Sequence, residues 1–224
     1  AILGLKPEEK DAYFLRGSAE LELGDYESAK ADFDQAISMD PKNYDRLIEI
    51  YEALAAHGYR EVGQEYLQNV LDTAKQLDAY DSGRIYYYLG EYQKAYLALD
   101  EARDKGGADS YLYLGRAYAA TGDYNYASSV YNNYLSKQGP NAEIYNELGL
   151  CEMAKKEYQN ALAAFQAGKQ IEGNSLMQTL CFNEIVAYEY LEDYQQAEVL
   201  MNAYLQNYPD DQTAIREQQF LSTR

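Results

Sequence analysis

Tryptophan is absent from the 224 residues, proline occurs four times, cysteine twice and histidine once. Each shortage excludes something. So few prolines make long helices the natural expectation, because proline removes a backbone donor and clashes with the preceding turn. No apolar run approaches the roughly eighteen residues that a membrane-spanning helix needs. The lone His57 has no second histidine or nearby cysteine with which to found a metal site. Cys151 and Cys181 fall inside apolar stretches, where a thiol behaves as a small hydrophobe. In the register set out below they stand at different heights on neighbouring helices, which disfavours a disulfide. Their spacing is not of zinc-binding type either.

Basic residues are also in short supply: 19 against 37 acids, for a net charge of -18. A surface this negative repels phosphate and anionic lipid, so neither a nucleic-acid partner nor direct membrane insertion is expected. It favours solubility and leaves room for a basic partner. The chain carries no GxSxG, Walker-type or GxGxxG sequence, and no cofactor is expected. The stretch Asp40–Asp45 has acids without the spacing and central glycine of a calcium loop. Glu8–Glu9 and Asp210–Asp211 stand exposed at the ends, where nothing raises a carboxyl pKa for acid–base work. Glu49 and Glu52, three apart on one helix, read better as partners for a basic group than as a glycosidase pair. The chain is expected not to be an enzyme.

What the sequence does have is 26 tyrosines and an internal ruler. Small residues recur at Ala29, Gly63, Ala95, Ala127, Ala161 and Ala197, at intervals of 34, 32, 32, 34 and 36. Three residues before most of them stands a tyrosine: Tyr26, Tyr92, Tyr124, Tyr158 and Tyr194. Four residues after each stands a bulky side chain: Phe33, Leu67, Leu99, Tyr131, Phe165 and Met201. A second series, Gly17, Gly83, Gly115 and Gly149, runs upstream. Small residues at matched heights let two antiparallel helices approach closely. Residues such as Ala29, Phe33 and Ala36 then offer an apolar stripe to the next unit. One hairpin cannot bury that stripe alone, so the units must stack. Gly24–Asp25 and Gly122–Asp123, with Gly58 and Gly90, mark turns inside units. Asp40–Pro41, Gly139–Pro140 and Pro209–Asp210 mark exits from second helices.

This pattern resembles the tetratricopeptide repeat family. The fourth unit carries it best, with Tyr111, Leu114, Gly115, Tyr118, Gly122, Tyr124, Ala127 and Tyr131. The family's tryptophan near the start of the first helix is replaced by Tyr13, Tyr111 and Tyr145. The resemblance implies an all-α fold, a right-handed α-superhelix or solenoid of about six helix-turn-helix repeats at 10–43, 44–77, 78–107, 108–141, 142–175 and 176–211. The second unit is poor, since Tyr51 stands where the first-helix glycine belongs, and the sixth has Ile185 there. Residues 212–224 are expected to form a C-terminal capping helix. Residues 1–9 read as the tail of a preceding helix or linker, with Pro7 placed 34 residues before Pro41. The chain is thus expected to begin inside a longer protein. The family's distribution and the non-methionine start suggest a bacterial protein with a removed lipid anchor and an extracytoplasmic location. A cytoplasmic location is the alternative.

The resemblance further implies a protein-binding scaffold whose first helices line a concave groove for a peptide or protein segment. Inward positions then include Phe14, Ser18 and Leu21; Ile48, Glu52 and Ala55; Tyr80, Arg84 and Tyr87; Leu112, Arg116 and Ala119; Asn146, Leu150 and Met153; and Phe182, Val186 and Glu189. Arg84 and Arg116 take equivalent places in adjacent units and are expected side by side, about 10 Å apart. Tyr80, Tyr87, Tyr88 and Tyr113 surround them, with Leu112 and Asn146 beside. Tyrosine and arginine are common interface anchors. Two readings of the arginines stand. They clamp a partner carboxylate through charge-assisted bonds, or they pair with groove acids such as Glu49, Glu52 or Asp81. The family's chaperone-binding members hold an acidic tail with lysine and asparagine on the first helices. Here Phe14 and Ser18, and Ile48 and Glu52, occupy those places, so a different and more apolar anchor is expected. Two other roles remain open: a structural subunit of a cell-envelope or secretion assembly, and the regulatory segment of a longer protein.

Overall fold

Helix boundaries in this chain are set by short polar side chains that satisfy the free N–H groups of the next helix. Asp25 accepts from Ser28 N at 3.2 Å, Asn43 from Arg46 N at 3.0 Å, Asp123 from Tyr126 N at 3.1 Å and Asn141 from Ile144 N at 3.0 Å. The computed structural model describes residues 10–103 and 107–224. The expected tail at 1–9, with Glu8 and Glu9, lies outside the described residues. Thirteen α-helices and no strand occur among those described, so the fold is the all-α helical repeat read from the sequence.

The chain divides into two compact units. The first, ending at Glu91, holds α1 (Lys10–Glu22), α2 (Tyr26–Met39), α3 (Tyr44–Ala56), α4 (Arg60–Thr73) and α5 (Ala79–Tyr88). The second, beginning at Tyr92, holds α6 (Tyr92–Ala102), α7 (Gly107–Ala120), α8 (Tyr124–Gln138) and α9 (Ala142–Ala154). It continues through α10 (Tyr158–Lys169), α11 (Met177–Tyr190), α12 (Tyr194–Asn207) and α13 (Gln212–Leu221). The division falls between α5 and α6, within the segment expected as the third repeat.

A left-handed residue ends the first helix of each hairpin. Gly24, Gly58, Gly90 and Gly122 take positive φ, and Lys156 and Glu192 take it at 64° and 61°. Each lies five residues before a member of the small-residue series, so the turn recurs at the same intervals. Glycine marked only four of these six turns. The last two were hidden because their residues bear side chains.

Within four of the hairpins, a glycine meets an aromatic ring. A Cβ on Gly115 would stand 2.3 Å from Tyr131 Cζ, so α7 and α8 are as close as a bare backbone allows. The second hairpin inverts this. Tyr51 occupies the first-helix position, and Gly63 on α4 gives way to it, with a Cβ there 2.9 Å from Tyr51 Cδ2. The apparent degeneracy of that repeat is an exchange of bulk between its two helices.

The first unit buries Leu21, Ala29, Phe33, Ile50 and Leu54 in one cluster and Leu47, Ile48, Tyr51, Leu67 and Ile85 in another. In the second unit, Ala161, Phe165, Leu180 and Ala187 pack together. Ala214 and Leu221 of α13 close over Ile185, Ala197, Met201 and Tyr204. That cover removes from water the apolar face that α12 would otherwise expose.

Candidate interaction surface

In the first unit the even turn spacing brings α1, α3 and α5 together as successive first helices. Their facing residues form a charged ladder. On α5, Arg84 donates from Nη1 to Asp45 of α3 and from Nη2 to Asp81 of its own helix. Its guanidinium carbon lies 4.2 Å from the centroid of the Tyr80 ring. One rung along, Arg46 of α3 reaches Asp11 of α1 at 2.7 Å and Glu49 at 3.1 Å, with its guanidinium 4.2 Å from the Phe14 ring. The Tyr88 hydroxyl donates to Glu52 at 2.6 Å, and its ring packs against Tyr51 and Tyr87.

Depth decides what a visitor would meet. The Arg84 side chain is 8% exposed and its partner Asp45 is 76% exposed. Arg46 is 20% exposed and Asp11 66%. The arginines lie beneath, over aromatic rings, and the carboxylates stand above. Burial alone pulls the Arg84 pKa down, but the hydrogen bonds it donates to Asp45 and Asp81 outweigh it and hold the group above its ordinary range. Burial raises the Asp81 pKa against the opposing effect of Arg84.

The second unit repeats the pairing but not the layering, since Arg116 is 27% exposed, Glu147 17% and Glu143 45%. Arg116 of α7 donates to Glu147 from Nε at 3.0 Å and from Nη2 at 2.6 Å, and to Glu143 at 2.9 Å, both acids on α9. Here too burial lowers the arginine pKa, and the charge of Glu147 more than reverses it. Its guanidinium stands 5.9 Å from the Tyr113 ring. Leu112 is buried beneath, as is Asn146, which accepts a 2.9 Å hydrogen bond from Asn183 of α11. On the same helix a buried Glu189 carboxyl oxygen lies near Glu217 of α13; burial, then that like charge, pushes its pKa up to about 7.

Of the two readings of the arginines, ion pairing within the chain is what the geometry shows. Asp81 serves Arg84 as expected, whereas Glu49 serves Arg46 and Glu52 serves Tyr88. Arg84 belongs to the first unit and Arg116 to the second, each with acids of its own unit. Sequence reasoning missed Asp11, Asp45, Arg46, Glu143 and Glu147. A signal existed, since Asp11 and Asp45 stand one repeat, 34 residues, apart. Nothing in one dimension says that such an acid reaches the arginine of the following helix. His57 Nδ1 lies 2.9 Å from the Ala53 carbonyl, and among the described residues no cluster of His, Cys, Asp and Glu is arranged to hold a metal ion. Nor is any described helix long and apolar enough to cross a membrane. Both cysteines are free thiols.

A tetratricopeptide repeat profile matches residues 10–43, and a second profile of the same description matches 80–127 and 114–174, together more than half of the chain. No curated protein matches in sequence. Among solved structures, PilW, described as a type IV pilus biogenesis factor, aligns with a TM-score of 0.67 at 17% identity, over 95% of this chain and 97% of that one. YrrB, described as a tetratricopeptide protein with an unusual peptide-binding site, aligns at 0.55 and 18% identity, over 84% of this chain and 97% of that one. A chain of the APC/C hetero-tetramer Cut9–Hcn1 aligns at 0.62 and 17% identity over 98% of this chain, which spans only 44% of that longer one. At such identities the likeness is one of fold.

Proposed function

Because this chain belongs to the tetratricopeptide repeat family, whose repeats mediate protein–protein interaction, we propose that its first-helix faces hold an extended segment of a partner protein, without chemistry of their own. In the first unit the proposed groove is formed around Tyr80, Arg84, Tyr87 and Tyr88. In the second it is formed around Tyr113 and Arg116, with Leu112 and Asn146 as supporting floor. The observation that carries the reading is the layering of charge in the first unit, where the exposed carboxylates of Asp45 and Asp11 stand outside arginines set over aromatic rings. An arginine already held by two acids has little left to offer a partner carboxylate. The exposed acids meet a lysine or arginine instead, and complementary charge speeds and orients the encounter. The expected partner segment is therefore basic, with aromatic contacts to the tyrosines between its charges.

Affinity capture with the purified chain, followed by peptide mapping, tests this. Bound segments should be rich in lysine and arginine, and binding should weaken with salt. The variant Asp11→Asn/Asp45→Asn/Glu49→Gln should fold normally and lose the captured segments. Recovery of acidic segments, or equal capture by the triple variant, would remove the basis of the proposal.

A further inference from the structure

One cleft of the first unit carries the opposite charge. Where α2 ends, α3 begins and α4 ends, a hollow of about 550 Å3 is lined by Pro41, Lys42, Tyr44, Val70 and Lys75, with Thr73, Ala74 and Gln76 completing it. Its size lies within the range usual for small-ligand sites. One feature sets it apart: no acid lines it, in a chain where acids outnumber bases 37 to 19. Its two lysines are exposed and, like Lys137 and Lys156, form no ion pair among the described residues, unlike Lys30, Lys155 and Lys169, which are each tied to a carboxylate.

A lysine just beyond a helix end is favoured by the carbonyls there. That accounts for Lys42 after α2 and Lys75 after α4 separately. It does not account for both lysines lining one hollow that also presents the apolar side chains of Pro41, Tyr44 and Val70. The two lysines give the hollow a local positive charge that favours an anion over a neutral molecule of the same shape, against the repulsion of the wider negative surface. Its apolar wall selects among them.

We propose that this cleft binds a small amphipathic anion, a carboxylate joined to an aromatic or branched aliphatic body. The carboxylate sits between Lys42 Nζ and Lys75 Nζ, in charge-assisted hydrogen bonds. The apolar body lies against Pro41, Tyr44 and Val70. Such a group is supplied either by a free acid or by the last residue of a polypeptide chain. This site is separate from the proposed first-helix groove, whose outward charge has the reverse sign, and either can fail without the other.

The whole protein, labelled with nitrogen-15, can be titrated at constant ionic strength with phenylacetate, with N-acetylphenylalanine and with neutral phenylacetamide. Saturable amide shifts centred on Tyr44, Val70 and Ala74 are expected for the two acids, at about millimolar affinity. The neutral amide should bind at least about tenfold more weakly, a difference of one pairwise charge interaction. Lys42→Ala/Lys75→Ala should lose at least the same factor, and Lys42→Arg/Lys75→Arg should keep most of the binding. Tighter binding of N-acetylphenylalanine than of phenylacetate assigns a chain terminus, and the reverse order a free acid. Equal binding of the amide, shifts spread over the other surface lysines, or an unaffected alanine variant would overturn the proposal.

Discussion

Gly149 on α9 and Phe165 on α10 touch so closely that a Cβ on the glycine would stand 2.3 Å from Phe165 Cε1. The ring is fully buried and has nowhere to move. Gly149→Ala should therefore destabilise the second unit by about 1–3 kcal/mol through overpacking. Phe165→Leu opens room, so the double variant should lose less than the two single losses added together. Urea unfolding of all four proteins measures this coupling, and strict additivity would contradict the close approach.

Arg84 and its two acids differ in depth, and their substitutions should differ accordingly. Arg84→Ala leaves Asp81, a largely buried carboxylate, without its cation, and should cost about 3 kcal/mol. Asp45→Asn removes an exposed partner and should cost under about 1 kcal/mol. Denaturant midpoints distinguish these outcomes. Comparable losses would place the guanidinium nearer the surface than the structure has it.

Lys156 adopts φ 64° where the earlier hairpins have glycine. A side chain in the left-handed region is strained, and glycine relieves that strain at some cost in unfolded-state entropy. Lys156→Gly should stabilise the chain by about 0.5–1 kcal/mol. The same change at Lys155, which pairs with Glu152 in a right-handed backbone, should destabilise it. Thermal melting of the two variants should move in opposite directions.

Glu189 provides the pH test. Its pKa in the folded chain is raised to about 7, above the ordinary carboxyl value, by burial and then by Glu217. The folded state thus holds a proton that the unfolded state releases. The contribution is fully present below the unfolded pKa and is lost as pH rises through about 7. Glu189→Gln removes the ionisation, so its melting temperature should fall less than that of the parent between pH 5 and pH 8. Parallel pH profiles for the two would refute the assignment.

The helices and their repeat were legible in one dimension because the signals are local or strictly periodic. Asp25, Asn43 and Asp123 announce helix starts through their own short side chains, and the small residues return at nearly constant intervals. The glycine ruler faltered where the same physical need was met differently. Bulk passed from one helix to the other at Tyr51 and Gly63, and strain was tolerated at Lys156 and Glu192.

Register likewise placed the arginines and tyrosines on the first helices, and left open whether the arginines meet a partner or a groove acid. Whether Arg84 faces a partner or an acid depends on which side chain of α3 arrives beside it, and residue 45 lies 39 positions away in the chain. Depth is equally invisible in a string of letters, because only packing of α3 against α5 puts the guanidinium below and the Asp45 carboxylate above. Periodicity within the chain determined the repeat. The sign of the surface it presents was decided in three dimensions, where Coulomb attraction and desolvation act across helices that the chain keeps far apart.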